Sequence, residues 1–499
     1  MPTSPRRSLS PDPGAARRLA AHLHALDFTV EGVRALLGDR AADALDRGDP
    51  SPARKVVAGS DGPLAALVSL FMLGDSVPSA AFEGATGGHG VVLAPWLSGS
   101  DPVSSSVELA PYAVDDADWF VVADFSSAVR RAPLAVDHVL GVGGASTMLA
   151  QCVVRPPVDA ALDLGTGCGV QALHLARHSR DVVATDTSAR ALSLAELTLA
   201  LNGVSARLRR GSLFDPVAGQ GFDLVVSNPP FVIGAPQASR HEYRDAGLPG
   251  DEVCARIVSE AHRHLRPGGW AQLLANWEIR DGQSWQSRPL DWLAGSPLDA
   301  WVVQREVQDP SSYVDLWLRD SGDDRTEGAL AIREAWLAGL VARGVVGVGF
   351  GLVSLRAGAS ADPVRRLQHH GSAVQQPLGP AVRDWFDRQD VLRAHPGADV
   401  LSLHLVVGDD VRVDTRRRPG GGVTERLVLQ ERALRFSGTL DPFGESLLDA
   451  LTFGDPRGSR PVGEVVAALA TADGLDVEAT LSASVPVLRK LVEEGFLLP

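Results

Sequence analysis

The apolar positions of this chain change their spacing twice along its length. Between residues 14 and 50 they recur every three or four positions, as in amphipathic helices, and residues 64–75 form an apolar run typical of a buried helix. The next stretch is punctuated by glycine, serine and proline, and its strand candidates are residues 91–97, 107–114 and 118–125. We therefore predict an α+β N-terminal domain over residues 1–135, with a possible role in substrate recognition.

From residue 158 onward, apolar runs of strand length alternate with helical stretches. The predicted strands are residues 159–167, 181–188, 206–216, 222–230, 270–278, 301–307 and 345–355. The predicted helices are residues 170–178, 189–203, 253–269 and 327–344. Because such alternation is typical of βαβ units, it predicts an α/β domain over residues 136–358, built on a doubly wound and mostly parallel sheet.

Beyond residue 360 the pattern changes again. Residues 398–408 and 425–436 read as strands, and the last stretch reads as a helix, a turn and two more helices. This pattern predicts a C-terminal α+β, winged-helix-like domain over residues 359–499. A loop with three arginines, Arg416, Arg417 and Arg418, would either contact phosphates or form a solvated hairpin tip.

Composition and charge exclude several classes of protein. The 499 residues carry a net charge of −14, which argues against a broad basic face for nucleic acid, although a local patch remains compatible with it. Three cysteines, Cys152, Cys168 and Cys254, cannot form a disulfide framework, and their spacing predicts no metal site. Apolar runs are too short to span a membrane, and no signal peptide is expected, so the protein is predicted to be soluble and cytoplasmic.

The most informative motif is DLGTGCG, residues 163–169, which follows a predicted strand and precedes a predicted helix. Glycines at alternate positions allow a tight turn and let a ligand approach the backbone. A dinucleotide site would have G-x-G-x-x-G instead. About 20 residues on, Asp186 ends the next strand, where an acidic side chain can accept two ribose hydroxyls. The alternatives are that Asp163 forms the turn and that Asp186 caps a helix.

Two further strand ends carry candidate binding residues. In GSLFDP, residues 211–216, Leu213 and Phe214 can enclose an adenine ring, unless Phe214 is a core residue. The next strand ends in Asn228-Pro229-Pro230-Phe231. Two prolines fix φ and remove two donors, while the asparagine amide offers both an acceptor and a donor. All four strand ends are expected at one edge of the sheet, where open α/β sheets bind ligands.

Together with HRHLRPGGW, residues 262–270, these motifs resemble the class I S-adenosylmethionine-dependent methyltransferases that carry an N-P-P-[FY] motif. Residues 139–272 are similar to release-factor glutamine N5-methyltransferases of the HemK/PrmC type. They also resemble the "small" ribosomal RNA guanine and transfer RNA adenine N-methyltransferases. The resemblance implies a Rossmann-like methyltransferase sheet, S-adenosyl-L-methionine as cofactor and a nitrogen atom as methyl acceptor.

The resemblance also implies a role for each motif. Gly165, Gly167 and Gly169 would line the methionine part of the cofactor, with Asp163 near its amino group. Asp186 would bind ribose, and Leu213 and Phe214 would flank adenine. Asn228 and the Pro229 carbonyl would accept hydrogen bonds from an NH2 group, Pro230 would stiffen the segment, and Phe231 would pack on the planar acceptor.

Several residues depart from the family pattern. Ser212 stands where relatives usually have an aspartate, and Phe231 stands where HemK-type enzymes have tyrosine. Arg244 and Asp245, after the N-P-P-F motif, are candidates for the acceptor pocket, with surface charge as the alternative. The segment GVGGAST, residues 141–147, would either close over the cofactor or serve as a linker.

The predicted function is S-adenosyl-L-methionine-dependent N-methylation of a glutamine side-chain amide in a protein of the translation machinery, of release-factor type. The first alternative acceptor is an exocyclic amine of a base in ribosomal or transfer RNA, which would require nucleic-acid binding. The second alternative is a scaffold that binds the cofactor without catalysis. No membrane partner is predicted.

Overall fold

The chain forms two compact units. The structure, a computed structural model, describes residues 11–130, 134–234, 248–358, 360, 362–454 and 458–499. The first unit comprises Met1–Ala150 and Pro156–His369, and the second comprises Gln151–Arg155 and His370–Pro499. Each unit has its own hydrophobic core.

The N-terminal part of the first unit is helical and ends in a hairpin. Its helices are α1 Pro13–Ala25, α2 Val30–Leu37, α3 Asp39–Asp46, α4 Ser51–Ala58, α5 Pro63–Leu67, α6 Ser79–Thr86 and α7 Ser127–Arg130. Its strands are β1 Leu97–Ser98, β2 Ser104–Ser105, β3 Glu108–Val114 and β4 Ala117–Ala123. The two strands predicted over 107–114 and 118–125 are confirmed as β3 and β4, which pair antiparallel. The strand predicted over 91–97 is wrong, because Gly90–Trp96 is a 3-10 helix.

The α/β part of the first unit continues from α8, Gly144–Cys152. Its strands are β5 Val158–Leu164, β6 Ser179–Asp186, β7 Arg207–Arg210, β8 Phe222–Ser227, β9 Leu265–Arg280, β10 Asp299–Gln308, β11 Val345–Arg356 and β12 Arg365–His369. Its helices are α9 Val170–Ala176, α10 Ala189–Leu201, α11 Glu252–Glu260, α12 Ser287–Trp292, α13 Pro310–Ser321 and α14 Ala329–Ala342. The alternation predicted from the sequence is thus confirmed, whereas α8, α12, α13 and β12 were not predicted.

Within the described residues, these eight strands form one sheet in the order β12-β10-β11-β9-β8-β5-β6-β7. The sheet is parallel except at β11, which runs antiparallel to both β9 and β10. The central strands are buried along nearly their whole length because helices cover both faces. The chain runs from β5 outward to β7 and then returns to β8 on the other side of β5, so the topological switch point lies between β5 and β8. This is the doubly wound, mostly parallel Rossmann-like sheet that the sequence predicted.

The second unit combines helices with small antiparallel sheets. Its helices are α15 Gly379–Ala394, α16 Pro442–Asp449, α17 Val462–Ala472 and α18 Val477–Glu494. Its strands are β13 Val406–Val407, β14 Val411–Arg417, β15 Val423–Gln430, β16 Ser437–Thr439 and β17 Leu497–Leu498. The strand predicted over 398–408 is wrong over its first half, where Gly397–Ser402 is a 3-10 helix, and only Val406–Val407, β13, is strand. The α+β character is confirmed, while the winged-helix likeness stays a prediction.

Among the described residues, no helix combines the length and the apolar character that crossing a membrane requires.

Candidate active site

The four predicted motifs meet at the carboxyl edge of the main sheet. β5 runs parallel to β6 and β8, with Leu164 opposite both Thr185 and Ser227. Ser227 Oγ donates a hydrogen bond to the Leu164 carbonyl over 2.7 Å, which ties the two strand ends together. The turn after β5 and the segment after β8 therefore flank the switch point, where open α/β sheets bind ligands.

The turn after β5 requires its glycines. Gly165, Gly167 and Gly169 have φ of 78°, 53° and 86°, in the left-handed region that other residues rarely adopt. A Cβ atom on Gly165 or Gly167 would meet no heavy atom within 4 Å, so open space lies over the turn. At Gly169 a Cβ would lie 3.2 Å from Ala195, so this glycine also permits close packing against α10.

Asp163 lies beneath this turn and has no exposed surface. Its Oδ2 accepts a hydrogen bond from Thr166 Oγ over 2.6 Å, whereas its Oδ1 has no hydrogen-bond partner among the described residues. Burial away from water raises the pKa of Asp163 to about 7, although the Thr166 hydrogen bond opposes the shift. Asp163 thus organises the turn from below, and it does not reach the open side.

Asp186 connects the turn after β5 to the end of β6. Its Oδ2 accepts a hydrogen bond from the Gly167 amide and its Oδ1 accepts one from the Ser188 amide, both over 2.9 Å. The helix cap is Ser188, whose hydroxyl accepts from the Ala191 amide. Asp186 thus ends β6 at the position where an acidic side chain can accept ribose hydroxyls.

Leu213 and Phe214, after β7, lie in different surroundings. Leu213 is partly buried and has a φ of 46°, an uncommon backbone conformation that is found more often at ligand sites. Phe214 is 3% exposed and stacks on His264 with ring centroids 4.4 Å apart. This placement favours the alternative that Phe214 is a core residue, so Leu213 is the better candidate for flanking adenine.

The segment after β8 presents the predicted acceptor group. Asn228 Oδ1 is buried and has no hydrogen-bond partner among the described residues. Asn228 Nδ2 lies 3.5 Å from Ser146 Oγ, at the long end of hydrogen-bond distance.

The three residues after Asn228 differ in exposure: Pro229 is buried, while Pro230 and Phe231 are partly exposed. The Phe231 ring lies 5.6 Å from the ring of Phe350 and 6.3 Å from that of Trp317, measured between centroids.

The predicted segment 141–147 reaches the site through α8. Ser146 approaches Asn228, and its carbonyl accepts a hydrogen bond from Gln171 Nε2 over 2.8 Å. Both side chains are buried. Ser146 belongs to the predicted segment, although the sequence did not single it out, whereas Gln171 was not predicted.

A second set of missed residues comes from α13 and α14. Tyr313 Oη accepts a hydrogen bond from the Ile233 amide over 2.8 Å, and Trp336 Nε1 donates to the Ile233 carbonyl over 2.8 Å. Both side chains are buried in a cluster with Val232 and Ile233. These helices therefore fix the chain immediately after the N-P-P-F motif.

The remaining candidates lie elsewhere. Arg244 and Asp245 are outside the described residues. Arg416, in β14, pairs with Glu425 across the hairpin. Burial raises the pKa of the Cys168 thiol to about 12, as expected for a neutral packing residue. Within the described part of the chain, no three His, Cys, Asp or Glu side chains gather in a way that would hold a metal ion.

Three family models match parts of the chain. Residues 140–284 match the methyltransferase small domain. Residues 25–95 and 383–499 match two domains of unknown function, DUF7059 and DUF7782.

Several curated relatives match about a quarter of the chain. The ribosomal RNA small subunit methyltransferase C of Alcanivorax borkumensis is 37% identical over 24% of this chain and 32% of its own length. The release factor glutamine methyltransferase of Geobacter sulfurreducens is 37% identical over 23% of this chain and 44% of its own. The ribosomal protein uL3 glutamine methyltransferase of Bradyrhizobium diazoefficiens is 34% identical over 27% of this chain and 47% of its own length. The chain thus spans less than half the length of each of these relatives.

Among solved structures, a methyltransferase from Pyrococcus furiosus is 16% identical, with 42% of this chain and 81% of that chain covered and a TM-score of 0.27.

Proposed function

We propose that this protein is an S-adenosyl-L-methionine-dependent N-methyltransferase whose acceptor is a glutamine side-chain amide in a protein of the translation machinery. The observation that carries the proposal is Asn228 Oδ1, a buried amide oxygen without a partner among the described residues, at the switch point of the sheet. A buried acceptor without a donor costs about 1–3 kcal/mol. An N–H group of the substrate would remove this cost.

The residues around the turn fit the cofactor. Open space over Gly165 and Gly167 leaves room for its methionine part, and Asp186 ends β6 where an acidic side chain would bind the ribose. When bound, S-adenosyl-L-methionine would supply an electrophilic methyl group beside Asn228.

The chemistry of the acceptor explains why the N-P-P-F motif suits this task. An amide nitrogen is a weak nucleophile because its lone pair is delocalised into the carbonyl group. Asn228 Oδ1 and the Pro229 carbonyl would accept hydrogen bonds from the two N–H groups of this nitrogen. These bonds would orient its lone pair toward the methyl group and stabilise the positive charge that develops on it. Pro229 and Pro230 fix the backbone φ of this segment, and the Phe231 ring would pack on the planar amide.

Two kinds of relative support a protein acceptor, since both the release factor and the ribosomal protein uL3 enzymes are named for glutamine methylation. A second candidate acceptor is the exocyclic amine of an RNA base. It is favoured by the rings of Trp317 and Phe350, which lie beside Phe231 and are partly exposed, because aromatic side chains stack on unpaired bases. One relative is named for ribosomal RNA methylation.

A labelling experiment tests the function and separates the two acceptors. The native protein is incubated with methyl-tritiated S-adenosyl-L-methionine and cell extract, and the products are treated with RNase or with protease. We expect label that resists RNase and is lost with protease, and none with Asn228→Ala, which should still bind S-adenosyl-L-homocysteine in calorimetry. Label sensitive to RNase would assign the acceptor to RNA instead. Equal labelling by Asn228→Ala would contradict the role of this residue.

A further inference from the structure

The N-terminal hairpin carries a carboxylate that pairs with no cation of the described residues. Glu108 is the first residue of β3 and lies opposite Ala123 of β4. Its side chain is partly buried and forms no hydrogen bond or ion pair with the described residues. Burial raises the pKa of Glu108 to about 7. A carboxylate in such surroundings is costly unless a cation or a proton accompanies it.

Glu108 lies next to the segment that leads to the candidate active site. A Cβ atom on Gly141 would lie 3.5 Å from Glu108 Oε2. Just before Gly141, the Val139 amide donates to Asp124 Oδ2 over 2.9 Å, which holds this segment against the end of β4. Five residues after Gly141, Ser146 approaches Asn228. The carboxylate of Glu108 is therefore close to segment 141–147, which also approaches the N-P-P-F motif.

The hairpin that carries Glu108 packs against α9, the helix that follows the glycine-rich turn, since Tyr112 Oη of β3 and His174 Nε2 of α9 lie 3.1 Å apart. The charge of Glu108, after burial and together with that of Asp163, contributes to the raised pKa of Cys168, which lies between Gly167 and Gly169. Arg190, a cation on α10, is already engaged by Asp124 through both oxygens of that carboxylate. The hairpin of Glu108 thus lies beside the helix that follows the turn, while no cation of the described residues pairs with the carboxylate.

The ligand expected at this turn carries a matching positive charge. The methionine part of the cofactor ends in an α-ammonium group, and the family resemblance places Asp163 near it. Asp163, however, is fully buried beneath the turn, so it can act on a ligand only through its electric field. Glu108 retains exposed surface and can make the contact itself.

We propose that Glu108 of the N-terminal hairpin binds the α-ammonium group of S-adenosyl-L-methionine, so that the hairpin forms part of the cofactor site. This inference rests on the proposed function, since it assumes that the cofactor occupies the turn after β5. Its charge-assisted hydrogen bond orients the methionine part, while Asp186 holds the opposite, ribose end.

Three ligands separate the possible contacts of Glu108 in calorimetric titrations. S-adenosyl-L-methionine carries an ammonium and a sulfonium group, S-adenosyl-L-homocysteine carries only the ammonium, and 5′-methylthioadenosine carries neither. Glu108→Gln should weaken the first two by about 10- to 100-fold, the range expected for a lost hydrogen bond to a charged group, and leave the third unchanged. Glu108→Asp, which keeps the charge, should recover part of the loss. Asp118→Asn, an exposed carboxylate on β4 of the same hairpin, is the matched control and should bind all three like the native protein.

Each other outcome overturns the assignment. An equal loss for all three ligands would make Glu108 a structural residue. A loss for S-adenosyl-L-methionine alone would move the contact to the sulfonium, and native affinity for the first two ligands would remove Glu108 from the site. If the native protein binds none of the ligands, the proposed function itself fails, and that failure is visible before any variant is compared.

Discussion

Two side-chain oxygens at the carboxyl edge of the main sheet, Asp163 Oδ1 and Asn228 Oδ1, are buried without hydrogen-bond partners among the described residues. Buried polar atoms in folded proteins are nearly always paired, so such exceptions call for a physical reason. For Asn228 the reason we propose is an N–H donor of the substrate. For Asp163 it is the proton that its buried carboxyl binds more readily than an exposed one. Asn228 Oδ1 would therefore be paired by the substrate, whereas Asp163 needs only a proton.

The pKa of Asp163 leads to a prediction about stability in the absence of ligand. Its folded value of about 7 lies above the ordinary 3.8, so the folded state binds the proton more tightly than the unfolded state. The stability gained from this difference is complete below the unfolded pKa and is lost as the pH rises through about 7. The Asp163→Asn variant has no carboxyl group at this position. Glu108, whose pKa is also raised to about 7, is present in both the native protein and the variant, so its contribution cancels in the difference. The free energy of unfolding of the native protein should thus fall relative to that of Asp163→Asn between about pH 5 and pH 8.

Urea denaturation at the two pH values measures this difference. The exposed Asp118→Asn serves as control and should follow the native protein. A constant difference between Asp163→Asn and the native protein at both pH values would show that the carboxyl group does not titrate in this range.

At the scale of elements, α13 and α14, inserted between β10 and β11, fix the chain after the N-P-P-F motif. Both main-chain polar groups of Ile233 are bonded by side chains, its amide by Tyr313 of α13 and its carbonyl by Trp336 of α14. Tyr313 Oη also accepts a hydrogen bond from Asn276 Nδ2 of β9 over 2.9 Å. The helices thus connect the segment after β8 to the neighbouring strand.

Tyr313→Phe should therefore affect both stability and turnover. The substitution leaves the buried Ile233 amide and Asn276 Nδ2 without an acceptor, at a cost of about 1–3 kcal/mol in unfolding free energy. Because the segment after β8 loses a restraint, kcat should fall while the affinity for S-adenosyl-L-homocysteine stays near the native value. Urea denaturation, labelling rates and calorimetry provide the three readouts. Native turnover despite the lower stability would show that this restraint does not position Asn228.

The sequence predicted the parallel strands well because each is a continuous apolar run that ends in a turn signal. It did not predict α13, although Asp309 and Pro310 mark its start and Gly322 its end. The run 91–97 was assigned wrongly because a short apolar run does not distinguish a strand from a buried helical turn. Contacts such as that of Trp336 with Ile233 join residues 103 positions apart, and no local pattern reveals them.

At the scale of the whole molecule, the sheet of the first unit extends to His369. This end lies beyond the domain boundary at 358 proposed from the sequence, because β12 pairs with β10 from Ala300 opposite Arg365 to Gln304 opposite His369. β12 is short and contains three basic or amide-bearing residues in its first four, so its pattern gave no apolar signal. The strand nevertheless covers an otherwise unpaired edge of β10, a position at which an open strand exposes its hydrogen-bonding groups.

Two fragments, residues 1–369 and residues 1–358, test how much this last strand contributes. Both lack residues 370–499 and keep only Gln151–Arg155 of the second unit, so their difference isolates residues 359–369, which contain Val364 and β12. The Val364 amide donates to Asp299 Oδ1 and the Val364 carbonyl accepts from the Ala300 amide, both over 2.8 Å. We expect the longer fragment to unfold cooperatively in urea and to bind S-adenosyl-L-homocysteine within about threefold of the full chain, since each unit has its own core. The shorter fragment should unfold at a lower urea concentration because its β10 edge is open. Equal urea midpoints for the two fragments would show that β12 does not stabilise the sheet. Failure of the 1–369 fragment to bind S-adenosyl-L-homocysteine would show that binding requires residues 370–499.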